Sequence, residues 1–116
     1  MEFVIPGRLP SLNDYTLANR RNKWAGNKMK RECEEMITEF IPEYRPKFDY
    51  PVSLNIDWYE KDIRRDYDNV VFGKKFILDA LVTAGVLVDD KRKYVIGGHD
   101  EVKTDKGNPR IEVHIG

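Results

Sequence analysis

Val52-Ser53-Leu54-Asn55-Ile56-Asp57-Trp58 alternates apolar and polar residues without a break. That is the period of a strand with one buried face, and it predicts a strand continuing to Tyr59 or Glu60. Ile111-Glu112-Val113-His114-Ile115 repeats the pattern and predicts a closing strand. Glu2-Phe3-Val4-Ile5, stopped by Pro6-Gly7, predicts a first one. A further strand is expected from Tyr94-Val95-Ile96 to Val102, with Thr104 to Pro109 as the turn that pairs it antiparallel with the closing strand.

Helical spacing occupies two other stretches. Trp24, Cys33, Met36, Ile37, Phe40 and Ile41 form a sparse apolar stripe that predicts a helix from Lys23 to Phe40, ended by Pro42. From Asn69 onward, Phe72, Phe76, Ile77, Leu81 and Ala84 recur at three-to-four spacing, and Gly85 sits where a C-terminal glycine stop belongs. Pro10 to Lys23 is basic and begins with turn formers, so a loop of about a dozen residues is expected there. Pro42 to Pro51, with three prolines, reads as a connector, and Lys61 to Arg65 as a charged turn. The resulting order β-α-β-α-β-β describes an α/β (α+β) fold, one small domain over residues 1–116 with a mixed β-sheet and two main helices.

Length and composition narrow the class. A chain of 116 residues, 41% hydrophobic and 34% charged, can bury one modest core and is too rich in apolar residues for disorder. No apolar run approaches the roughly eighteen residues of a membrane span, and Met1 to Pro10 has no leader pattern, so a cytoplasmic protein is expected. The single Cys33 leaves no internal disulfide and is expected to be a partly buried spectator. Net charge is zero, but seven basic residues (Arg8, Arg20, Arg21, Lys23, Lys28, Lys30, Arg31) face one acid, Asp14, between positions 8 and 31. Such a stretch attracts phosphates locally, and it equally suits a solvated loop and helix face.

Candidate chemistry concentrates between Arg64 and Lys93. Asp66 and Asp68 form a D-x-D pair behind Arg64 and Arg65, and Asp89-Asp90 follow Gly85. Carboxylates are hard ligands, and Mg²⁺ sites serving phosphate chemistry take one or two of them. Residues i and i+2 of extended backbone project to one side, which would aim Asp66 and Asp68 at one ion. Asp89 and Asp90 reach the same place only if the chain after Gly85 folds back. The same aspartates also suit a helix N-cap and a turn. His99 and His114 stand isolated, without metal-ligand spacing to Cys33, and are expected to be structural or exposed. Trp24 and Tyr15, beside the basic stretch, suit base stacking or, more simply, anchoring of the loop and core. There is no glycine-rich phosphate loop, which argues against a nucleotide cofactor.

The segment R-R-D-Y-D-N, then K-F-I-L-D-A-L-V-T-A-G-V-L-V-D-D, then a basic residue and a strand, resembles the RusA-type Holliday junction resolvases. Those are small endodeoxyribonucleases often found in prophages. P-S-L-N-D-Y near the N-terminus is similar to that family's P-x-x-N-x-Y stretch, and the order of elements matches along nearly the whole chain. The resemblance implies a homodimeric, Mg²⁺-dependent endonuclease, with Mn²⁺ able to substitute, that makes paired cuts in four-way junction DNA during recombination and repair. It places Asp66, Asp68 and Asp90 on the metal-binding catalytic aspartates, and Lys75, four residues before Asp79, on the catalytic lysine. Between Asp68 and D-A-L this chain is a few residues longer than the family pattern, which sets Lys74 beside Lys75 as a competitor, and Asp89 adjoins Asp90. Asn13, Arg20, Arg21, Lys23, Arg64, Arg65 and Lys74 are the expected DNA contacts. Two other readings stand beside this one: a non-catalytic DNA-binding protein of the same fold, and a metal-dependent nuclease with another DNA substrate.

Overall fold

The alternation along β2 (Val52–Glu60) decides the layering. Val52, Leu54, Ile56 and Trp58 are buried, while Ser53, Asn55, Asp57 and Tyr59 lie on the opposite face. The computed structural model describes residues 1–116. β1 (Glu2–Pro6) pairs antiparallel with β5 (Arg110–Ile115), and β5 pairs antiparallel with β2. On the far edge of β2, β3 (Val95–Gly97) and β4 (Asp100–Thr104) both run parallel to it, one beside each half. The apolar face of this mixed sheet joins the helices in one core of 21 buried residues, with Trp58 and Phe76 the largest fully buried side chains. The other face carries Glu2, Asp57, Tyr59, Lys103, Arg110, Glu112 and His114, so the domain is a two-layer α+β sandwich with one sheet face open. No helix is long and apolar enough to cross a membrane.

The helices are α1 (Leu12–Arg21), α2 (Lys23–Phe40), α3 (Tyr67–Val71) and α4 (Lys74–Thr83). The span of α2 and the single α+β domain match the expectation from sequence. Three local expectations are corrected. The stretch read as a loop holds α1, because Ser11 and Asp14 are not turn formers there but a reciprocal capping box: the Asp14 amide donates to Ser11 Oγ at 3.1 Å and the Ser11 amide to Asp14 Oδ2 at 2.9 Å. The helix expected from Asn69 is two segments broken at Phe72-Gly73. Lys75 and Phe76 donate there to Phe72 and Gly73, three residues back, and a Cβ on Gly73 would press Leu9 and Trp58 at 3.1 Å.

The third correction concerns the last strands. β4 and β5 do not form a hairpin; they flank β2 on opposite sides, and the connecting turn passes over the end of β2, where the Asp105 amide donates to the Glu60 carbonyl at 2.7 Å. Gly98 divides the strand expected from Tyr94 to Val102. Its φ of +151° and its approach to the Leu54 carbonyl, 1.8 Å from where a Cβ would stand, make it a crossing only glycine fits.

Candidate functional site

The two segments that carry the resemblance, far apart in sequence, fold against each other. The Asn13 amide donates to Asn69 Oδ1 at 3.0 Å, and Arg65 ties both to the start of α1, donating to the Leu9 carbonyl at 2.9 Å and to Asp14 Oδ2 at 3.1 Å. Tyr15 packs its ring on Phe72 and Phe76 at centroid distances of 5.5 and 5.8 Å. Arg65 is thus an internal clamp and Tyr15 an anchor, whereas Arg64 and the Asn13 side chain remain exposed.

Asp66 occupies the N-cap position of α3, yet its side chain makes no capping hydrogen bond. Asp68 lies in the first turn, its Oδ1 accepting only the neighbouring Asn69 amide at 3.0 Å. Both are exposed, and neither has an ion-pair partner within 4.0 Å. Asp66 is extended, but Asp68 is already helical, so a common projection from extended backbone is not how the two relate. In the first turn of α4, Lys74 is half-buried and donates to Asp100 Oδ2 at 2.8 Å, and Asp100 also accepts Trp58 Nε1 at 3.1 Å. Lys75 is exposed and unpaired.

Past Gly85, whose φ of +79° closes α4, the chain does turn back. Val86 and Leu87 donate to the Leu81 carbonyl and are buried. Asp89 and Asp90 then line a cleft of about 250 Å³ with Lys30, Glu34, Asp79, Val82 and Thr83. Asp79 Oδ2 is buried without a hydrogen bond, its nearest cation being Lys30 Nζ at 3.5 Å, and Thr83 Oγ1 donates to Glu34. Asp89 is taken up locally: its Oδ1 accepts the Asp90 amide at 2.7 Å, which holds its carboxyl below the usual range, with Lys91 adding to the effect. Asp90 is exposed. The fold-back therefore brings Asp90 level with the middle of α4, beside Asp79, and Asp66, Asp68 and Asp90 do not gather with all ligand atoms within 4.8 Å of one another. Asp79, Glu34 and Lys30 are cleft residues that the sequence reading missed; the aspartate inside an apolar helical repeat was the available signal.

Of the basic stretch, Arg8 is consumed by buried Glu60, donating from Nη2 and Nε to Oε1 at 2.9 and 3.1 Å, and Lys28 and Lys30 lean on Glu32 and Asp79. Arg20, Arg21 and Lys23 are exposed and unpaired at the junction of α1 and α2. Trp24 is 65% exposed beside them, with Lys28 Nζ 5.2 Å from its ring, so it is not part of the core stripe. A groove of about 550 Å³ between the two helices runs from Arg21 and Trp24 to Met29, Cys33 and Met36. Burial pushes the Cys33 thiol up to about 11, with the Glu32 charge adding to the effect, so it is no nucleophile.

The one group of three metal-capable side chains within mutual reach is Asp57, Glu112 and His114, on the open sheet face. It was not legible as a cluster because its members lie on two strands; the outward positions of two alternating strands were its only trace. No protein-family model matches this chain, and comparison with curated proteins finds no match.

Proposed function

We propose that this protein is a Mg²⁺-dependent, structure-selective endodeoxyribonuclease of the RusA type, acting as a homodimer on four-way DNA junctions. The observation that carries the reading is Asp66: it stands where aspartate ordinarily caps a helix, yet caps nothing, and with Asp68 it stays exposed and unpaired. Two hard oxygen donors left free beside the junction of the two motif segments fit Mg²⁺, which takes few protein ligands and completes its shell with water and phosphate oxygens. Asp90 joins them by resemblance alone. Bound there, Mg²⁺ would supply water activation and charge neutralisation at a scissile phosphate. Lys75 offers an unpaired cation for the developing negative charge, and Arg20, Arg21, Lys23 and Arg64 offer phosphate contacts that carry no sequence information. Two symmetric cuts with one carboxylate set per chain call for a two-fold dimer.

The separation of Asp90 from Asp66 and Asp68 favours a second reading, a non-catalytic DNA-binding protein of the same fold. A labelled four-way junction and a linear duplex of the same arms, each incubated with and without Mg²⁺, separate the two. Cleavage of the junction alone, with Mg²⁺ alone, is expected; binding without cleavage under every condition leaves the second reading.

A further inference from the structure

We propose a transition-metal site on the open face of the sheet, formed by Asp57 of β2 and by Glu112 and His114 of β5. Asp57 stands opposite Glu112 in the antiparallel register, and His114 follows two residues on, so all three project from one face. One ligand atom from each lies within 4.8 Å of the others, and the side chains are 28%, 28% and 37% exposed, leaving room for water to complete a shell.

The arrangement around the histidine points to a cation. His114 Nδ1 lies 3.0 Å from Glu2 Oε1, which sets that carboxylate against one side of the imidazole. Nε2 faces Asp57 Oδ2 at 3.8 Å, too far for a hydrogen bond, which leaves a gap between two metal-capable groups. Each acid keeps an oxygen for the same space: Lys103 Nζ approaches Asp57 through Oδ1 at 3.4 Å, and Arg110 Nε holds Glu112 through Oε2 at 2.8 Å. Those two cations contact four carboxylates (Asp57, Glu101, Asp105 and Glu112), and a fifth, Glu2, lies against His114. One imidazole with two carboxylates selects Zn²⁺ or a similar first-row ion over Mg²⁺. The site is separate from Asp66 and Asp68 and does not rest on the nuclease reading.

Calorimetric titration of the full chain with Zn²⁺ tests it. In the Asp66→Asn and Asp68→Asn background, which removes the carboxylates proposed above to hold Mg²⁺, one Zn²⁺ per chain is expected, with affinity lowered at least about tenfold by adding His114→Ala or the pair Asp57→Asn and Glu112→Gln. Imidazole ¹⁵N spectra give a readout that needs no ligand variant: in His99→Ala the one remaining histidine is His114, and Zn²⁺ should shift its Nε2 signal. No saturable binding in that background, an unmoved Nε2 signal, or undiminished binding by folded His114→Ala would each overturn the site.

Discussion

Lys74 and Lys75 are neighbours in sequence with opposite fates, because successive residues on a helix are rotated by about 100°. Lys74 turns into the sheet edge and completes the Trp58–Asp100–Lys74 chain, so Lys74→Ala should cost about 1–3 kcal/mol by leaving Asp100 underpaired. Lys75→Ala touches no contact in the fold; on the nuclease reading it should slow cleavage about a hundredfold with an unchanged melting temperature. Thermal unfolding and single-turnover cleavage of the two variants check this, and the opposite pattern would move the role to Lys74. Cys33 carries a pH dependence whose sign is fixed by its raised thiol. The unfolded thiol ionises near 9.0 and the folded one near about 11, so its contribution is full below pH 9.0 and is lost as pH rises towards 11. Cys33→Ala should flatten the alkaline loss of melting temperature over that window, and iodoacetamide should label native Cys33 much more slowly than the unfolded chain.

At the scale of elements, periodicity made β1, β2 and β5 legible because each has a clean apolar face, and α2 even to its ends although its stripe is sparse and Trp24 falls outside it. What periodicity misses is where a residue's local chemistry has two uses. Ser11 and Asp14 suit a loop or a capping box, and long-range contacts, Tyr15 on Phe72 and Phe76 and Arg65 on Asp14 among them, favour the helix. Ser11→Ala should lower stability by about 1 kcal/mol, measured by urea unfolding. Strand pairing is less legible still, since β4 and β5 are adjacent in sequence and separated in space by β2. Gly98 lets the chain step from β3 to β4 close against the Leu54 carbonyl of β2, so Gly98→Ala should destabilise by at least about 2 kcal/mol. Gly97→Ala, with open space around it, should be nearly neutral.

At the scale of the molecule, the candidate site was legible as residues and not as an assembly. Asp66, Asp68 and Lys75 are exposed and free as the nuclease reading requires, while Asp90 lies in the Asp79 cleft and Arg65 and Lys74 serve the fold. Sequence spacing carries no information on which carboxylates a turn such as Gly85-Val86-Leu87 will bring together. Arg20 and Arg21, with Lys23 at the start of α2, lie at the end of α1 away from the Asn13 junction, Arg21 about 12 Å along the helix at 1.5 Å per residue. If they hold DNA, replacing all three by Ala should flatten the slope of log affinity against log salt by up to ~3, with the fold unchanged. The central claim, that the free aspartates are the hydrolytic centre, is tested most directly by single-turnover cleavage of an end-labelled four-way junction in Mg²⁺. Wild type is expected to give symmetric paired cuts, and Asp66→Asn, Asp68→Asn and Asp90→Asn to bind the junction at least as tightly without cutting it. Near-normal cutting by Asp66→Asn and Asp68→Asn, or no cutting by the wild type, would contradict it.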